Sequence, residues 1–399
     1  MEVSIEMEEN LVRLNHKQLD NLKKKYGVDR IWSFSRVNSF HNCPKEYQVH
    51  YLEHLKLDSG NVYTEFGTFS HNTIQSLVRG EIKYDEMYPK WQDEVGNWEV
   101  DPNSYQFDND KIKTGYIANL NHYFKHTQVP AGSQFETEKP VLATIGENNK
   151  YVFVGYVDTQ YVDEDGNLVL VDYKTSSRSS FSKAKLPEKS LQLMLYAIGK
   201  HQHSHIPYSK IRCMFDMMKY VTVHYRQENG KMNTSIQERA KWVAKMEKKL
   251  ATKLKKLHYD QDQIDEMIQV AIMANNLDNM PQEVQEQFLI ENYVIELDIS
   301  EENCERVAKI IEQKCDEIME FEALSKEDQD SWLEINHPYN PNDYYDKKLC
   351  SWHTSPQFKE QEKTLDDILQ PEMANDTEDD LFLSGLFTED EELAGVFSE

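Results

Sequence analysis

The chain has 399 residues, enough for one large domain or two modest ones with a buried core. Of these, 39% are hydrophobic and 29% charged, and no stretch nears the roughly 20 apolar residues that cross a bilayer, which excludes a helical membrane protein. The net charge of −26 argues against a broad electrostatic grip on nucleic acid, but a local basic channel is compatible with it. Half of that charge is terminal, since residues 360–399 hold 14 acids and one base, Lys363. Five scattered cysteines, Cys43, Cys213, Cys304, Cys315 and Cys350, suit a reduced chain better than a disulfide framework. The opening MEVSIEMEENLVRLNHKQ has no apolar core of a secretory signal, so the expected location is cytoplasmic.

In chain order, residues 1–30 read as a polar helical extension that stops at Gly27. Residues 31–57 begin with the N-cap candidates Ser33 and Ser35, and Pro44 breaks the helix or starts another. A helix is expected over 66–78, mostly loop over 80–115, and a further helix near 116–125. Strand signals follow at 134–145, 151–162 and 168–176, segments rich in valine, tyrosine and threonine. The segment 189–200 is a strongly apolar helix, and 211–226 reads as one or two strands. From 234 to 274 the pattern is helical and lysine-rich, a strand covers 292–299, and a helix follows. The stretch HPYNPNDYYDKKLCSWH reads as loop, and the acidic end as disorder carrying short apolar clusters. The order predicts an α/β domain with a mixed central sheet flanked by helices, a helical insertion and a disordered acidic tail. Expected divisions are an extension (1–30), a core (31–233), a lysine-rich insertion (234–291), a second part of the core (292–359) and the tail (360–399).

The most informative residues are GYVD (155–158), the turn DEDGN (163–167) and DYK (172–174). Gly166 suits the left-handed position of a three-residue hairpin loop, Glu164 to Gly166. Such a loop pairs Asp163 with Asn167 and therefore sets Asp158 opposite Asp172. Directly opposed residues share a face, and period-two alternation adds Lys174 to it. Two facing carboxylates repel and call for a cation between them, and oxygen donors favour Mg²⁺ or Mn²⁺ over zinc. A lysine beside that ion can orient a water or balance a phosphate, so the group suits phosphodiester hydrolysis. The bland reading is a surface hairpin with solvated charges. Gln192 and Tyr196 are four residues apart and share a helix face, where they either serve this site or cap an exposed side. His71 lies on the helix GTFSHNTIQ as a candidate ligand or a structural histidine.

Five ordered segments, SFSRVNSFHNCPKEYQVHYLE, FGTFSHNTIQ, GYVD, VDYKT and QLMLYAIG, make the chain resemble the RecB-like branch of the PD-(D/E)XK nuclease superfamily, including CRISPR-associated and bacteriophage exonucleases. The resemblance spans roughly residues 31–226 and implies a restriction-endonuclease-like core. It further implies that His71, Asp158, Asp172 and the Tyr173 carbonyl ligate the metal, with Lys174 positioning the attacking water. An acidic residue of the preceding strand joins them; Glu138 and Glu136 are the candidates. Gln192 and Tyr196 would contact DNA near the scissile phosphate, and the early pair Ser35–Arg36 is structural or faces phosphate. Many relatives hold an iron–sulfur cluster on one early and three late cysteines. Here Cys43 and Cys350 match in position, but no cysteine follows Cys350, so no cluster is expected. A Cys43/Cys350/His353 metal remnant lacks a clear fourth ligand.

For DNA binding the local basic groups are Arg178, Lys183, Lys185 and Lys189, just after the DYK strand. Lys241, Lys245, Lys248, Lys249, Lys253 and Lys256 of the insertion either track a backbone or form a solvated face. The tail clusters Leu381–Leu383, Leu386–Phe387 and Val396–Phe397 suit docking on a protein partner or over the chain's own DNA channel. The function that follows is a metal-dependent DNA nuclease, an exonuclease on single strands or duplex ends in recombination, repair or phage DNA metabolism. The alternative is a nuclease-fold binding or inhibitory protein that acts through its tail. No GxxxxGK[ST] phosphate loop is present.

Overall fold

Valine, tyrosine and phenylalanine suit a pleated, half-buried surface, and their runs build a seven-stranded mixed sheet in the computed structural model of the chain. Residues 13–57, 60–227 and 229–360 are described; the acidic segment from 361 onward, with its apolar clusters, lies outside them. The strands are β1 (Ile31–Trp32), β2 (Ser133–Ile145), β3 (Tyr151–Val162), β4 (Leu168–Lys174), β5 (Ile211–Arg226), β6 (Met232–Glu238) and β7 (Phe288–Leu297).

The pairing leaves a fork in the sheet. β2 runs antiparallel along β3 from Ile145↔Tyr151 to Glu136↔Gln160 and so takes one edge of it. β1 and β4 must share the other edge. β1 takes Val152 and Phe153 in parallel, and β4 takes residues 159–162 antiparallel. Residues 154–158 lie between those two pairings. Beyond the fork β4 runs parallel to β5, from Leu168↔Ile211 to Lys174↔Met217. A parallel pair needs a crossover, and the helix Leu191–Ser204 makes it. β7 covers the far edge of β5, and β6 pairs with its C-terminal half.

Three segments differ from expectation. The stretch 80–115 is not mostly loop, because it holds the helix Met87–Val100. Trp91, Val95 and Trp98 bury there at spacings of four and three, packing with Phe66, Tyr116 and Phe124. Pro89 sits in the first turn, where a missing N–H costs nothing. The stretch from 234 is not helical from its start: β6 pairs with β5 from Tyr220↔Glu238 to Arg226↔Met232. Only then come the helices Trp242–Lys256 and Gln261–Ala274, which bury Val243, Met246, Leu250, Ile264 and Ile268 on Val221 and Val223 of β5. Lys253 faces this core and donates to the Arg226 carbonyl at 2.6 Å, so it leaves the basic face expected of that helix. The stretch expected as loop around 337–353 contains the short helices Tyr344–Lys348 and Ser351–Thr354.

By compactness the chain divides in two. Among the described residues, one unit comprises those of 13–42 and 60–332, with the whole sheet. The other comprises residues 43–57 and 333–360 and buries Cys43, Val49, Cys350 and Trp352 together. Among the described residues no helix is long and apolar enough to cross a membrane.

Candidate active site

The hairpin between β3 and β4 is built by its loop. Gly166 has φ +74°, and its N–H donates to the Asp163 carbonyl at 3.0 Å. The Asp163 N–H donates to the Asn167 carbonyl at 3.0 Å, while Asp163 Oδ1 accepts from the N–H groups of Asp165 and Asn167. That loop sets the register Thr159↔Val171 and Gln160↔Leu170. One step further, Asp158 opposes Asp172 where the two strands fork.

Four groups converge at this fork. Asp158 Oδ2 accepts the Tyr173 N–H at 3.2 Å and lies 3.6 Å from His71 Nδ1. His71, on the helix Val62–Val78, brings Nε2 to 3.1 Å from the Tyr173 carbonyl. A carbonyl only accepts, so Nε2 carries the proton. Burial lowers the His71 pKa and favours the neutral ring, so Nδ1 turns a lone pair toward Asp158. Lys174 Nζ is 2.7 Å from Asp172 Oδ1. Burial works against the Lys174 charge, but Asp172 and Asp158 outweigh it and hold its pKa above the usual value. Asp158 is pushed well above the ordinary carboxylate range, first by burial and then by the neighbouring Asp172.

This donor set fits a divalent cation. Two crowded carboxylates and an imidazole lone pair face one another, and Lys174 is the cation that partly compensates them. A hard ion here would reverse the electrostatics that keep the Asp158 carboxyl protonated.

Of the two acidic candidates on β2, Glu138 is the one beside this group, since its charge acts on His71. It interrupts the β2–β3 ladder with φ +52°, although by register it opposes Asp158. Gln75 donates to Glu138 Oε1 at 3.1 Å, and Arg13 lies 3.7 Å from Oε2. Glu136 is held instead by Lys139 and Gln160 at 2.5 and 2.6 Å.

Gln192 donates to the Tyr196 hydroxyl at 2.9 Å. Burial pushes that hydroxyl up to about 12, and Asp172 and Asp158 act on it as well. Gly155 leaves room for the ring, because a Cβ there would stand 2.3 Å from Tyr196 Cε1. Arg178, Lys183 and Lys185 follow β4 with exposed side chains. Arg36 instead pairs with Glu322 at 3.0 Å and lies over the Trp32 ring, which gives it a structural role. Gln75 and Thr137 escaped the sequence reading. Gln75 was legible as the residue four after His71 on one helix face. Thr137, whose hydroxyl donates to the Asp158 carbonyl at 2.6 Å, carried no signal.

Residues 31–328 match the family model described as PD-(D/E)XK nuclease superfamily, whose members generally use divalent metals. No curated protein matches the chain.

Proposed function

The chain belongs to the PD-(D/E)XK nuclease superfamily, and on that premise we propose that it is a divalent-metal-dependent deoxyribonuclease of the RecB-like branch. The observation that carries this is the meeting of Asp158, Asp172 and the His71 Nδ1 lone pair beside Lys174. Asp158, Asp172 and His71 would hold Mg²⁺ or Mn²⁺, with Glu138 and the Tyr173 carbonyl completing the shell through the ion or its waters. When bound, the ion supplies Lewis acidity at the scissile phosphate and lowers the pKa of the attacking water. Lys174 stays protonated beside Asp172 and orients that water or steadies the phosphate oxygens. Gln192 and Tyr196 form one hydrogen-bonded pair next to the carboxylates and present polar groups to the DNA backbone. Arg178, Lys183 and Lys185 provide the positive path that so acidic a chain needs locally.

Exonuclease action on single strands or duplex ends, in recombination, repair or phage DNA metabolism, is the finer part of the proposal. It rests on the ordered motifs alone. All five cysteines are unpaired, which suits a reducing cytoplasm. The test is incubation of end-labelled linear and circular DNA, single- and double-stranded, with Mg²⁺ or Mn²⁺, comparing the native chain with Lys174→Ala. Metal-dependent loss of linear DNA by the native chain alone is expected. Equal degradation by both proteins would sink the assignment, and cutting of covalently closed circles would replace exonuclease by endonuclease action.

A further inference from the structure

The second compact unit assembles a different set of donors. One ligand atom from each of Cys43, Cys350 and His353 lies within 4.8 Å of the other two. The three residues are 4%, 0% and 9% exposed. The two sulfurs are 3.0 Å apart and both cysteines are free, whereas a disulfide requires about 2.05 Å. His353 is held from the other side by Asp346, whose Oδ1 stands 3.2 Å from Nδ1.

Local sequence explains the convergence. Cys43 precedes Pro44 at the start of the turn Pro44–Tyr47, and its sulfur accepts the Glu46 N–H at 3.4 Å. Cys350 opens the turn Ser351–Thr354, which brings His353 back over it three residues later. Val49, Trp352 and the partly buried Leu57, Tyr345 and Phe358 enclose the group. Two sulfurs and an imidazole brought this close in an apolar enclosure are a set of soft donors that one shared cation can hold.

We infer that Cys43, Cys350 and His353 bind one Zn²⁺ ion that ties residues 43–57 to residues 333–360. Two thiolates and an imidazole are borderline-soft donors of the kind zinc takes and magnesium does not. An iron–sulfur cluster does not fit, because it calls for four cysteine thiolates and this unit has two. A solvent molecule takes the fourth tetrahedral position, and Asp346 holds the imidazole as carboxylate partners of metal-bound histidines do. The two sulfurs are 307 residues apart in sequence, so the ion closes a loop that contains every strand of the sheet except β1. Metal binding of this type is folding free energy, and it constrains long loops most. The inference is independent of the nuclease assignment, since its readout is metal content.

The experiment is elemental analysis of the full chain, purified in air without chelator, together with acid-labile sulfide and a thiol titration under denaturing conditions without reductant. One zinc per chain, no sulfide and five titratable thiols are expected. His353→Ala loses the zinc, His353→Cys retains it, and Asp346→Asn weakens zinc binding about 10- to 100-fold. To cover variants that fail to fold, the native chain is treated with a strong chelator. Its unfolding temperature falls, and one equivalent of Zn²⁺ restores an increment that saturating Mg²⁺ does not replace. Iron with sulfide, two missing thiols, a metal-free chain that ignores added Zn²⁺, or full zinc retention by His353→Ala would each overturn the inference.

Discussion

At the scale of single residues, the carboxylate of Asp158 is the least comfortable group of the nuclease unit. Burial and the adjacent Asp172 push its pKa up, so the metal-free fold is most stable while this carboxyl is protonated. That stability is present below the ordinary carboxylate pKa and is lost as pH rises toward the elevated folded value. Asp158→Asn is neutral throughout. It should therefore unfold at a higher temperature than the native chain in chelator at pH 8, match it near pH 4, and lose the upward shift that Mg²⁺ gives the native chain. Thermal scans with and without Mg²⁺ at both pH values check this, and a Mg²⁺ shift retained by the variant would remove Asp158 from the metal site. Lys174→Ala should lower the DNA cleavage rate by about 10²- to 10⁴-fold with little change in DNA affinity. Gly155→Ala probes the supporting packing. Its Cβ would stand 2.6 Å from the Tyr196 hydroxyl and 2.3 Å from the ring, and Tyr196 is buried. Overpacking of this kind costs about 1–3 kcal/mol and pushes the Gln192–Tyr196 pair out of place. Cleavage should fall together with stability in a urea titration, and a fully stable, fully active variant would show that the ring moves freely.

At the scale of elements, the hairpin was legible because one glycine decides it. The turn DEDGN calls for a left-handed residue, Gly166 supplies it, and the pairing that follows brings Asp158 opposite Asp172 without help from the rest of the fold. β3 was legible to the residue because its run of valine and tyrosine has sharp ends. Other elements were hidden for physical reasons. Pro89 and Gly96 disguise the helix Met87–Val100, whose tryptophans bury only because Phe66 and Phe124 are waiting for them. β6 reads as MNTSIQE, polar and short, and it becomes a strand because the C-terminal half of β5 offers an edge. Glu138 and Glu136 have the same parity on β2, so alternation cannot separate them. The left-handed backbone at Glu138 separates them, and nothing in the sequence announces it. The helix that carries His71 allows an element-level test. Asn61 caps it by accepting the N–H groups of Tyr63 and Thr64 at 3.0 and 3.1 Å, and Thr64 returns the contact. Asn61→Ala should cost about 1 kcal/mol, read by urea unfolding, while Asn61→Ser retains most of it. An equal loss in both variants would argue that the amide, rather than the cap, matters.

At the scale of the whole nuclease unit, folding stability turns on a buried polar junction where four elements meet. Asp216 of β5 is 5% exposed. Its Oδ2 accepts from the Tyr123 hydroxyl at 2.9 Å and from Asn292 Nδ2 of β7 at 3.2 Å, and its Oδ1 has no partner among the described residues. Arg239, just after β6, stacks over the Tyr123 ring and donates to Asn292 Oδ1 at 2.7 Å. Burial drives the Asp216 pKa up to about 6, and Arg239, Tyr123 and Asn292 hold it from going further. The folded chain thus binds this proton more tightly than the unfolded chain, where the pKa is about 3.9. The contribution to stability is complete below pH 4 and is lost as pH climbs through 6. Two pKa units correspond to about 3 kcal/mol. Asp216→Asn keeps the shape and never ionises. At pH 4 it should match the native chain, since neither then offers Arg239 an anion. Relative to the native chain it should gain about 3 kcal/mol between pH 4 and pH 8. Urea titrations of both proteins at pH 4, 6 and 8 read that difference directly, because every other titrating group cancels. A difference that stays flat with pH would mean that Arg239 compensates the carboxylate fully and burial does not dominate. A difference of opposite sign would make the Asp216–Arg239 pair a net support of the fold.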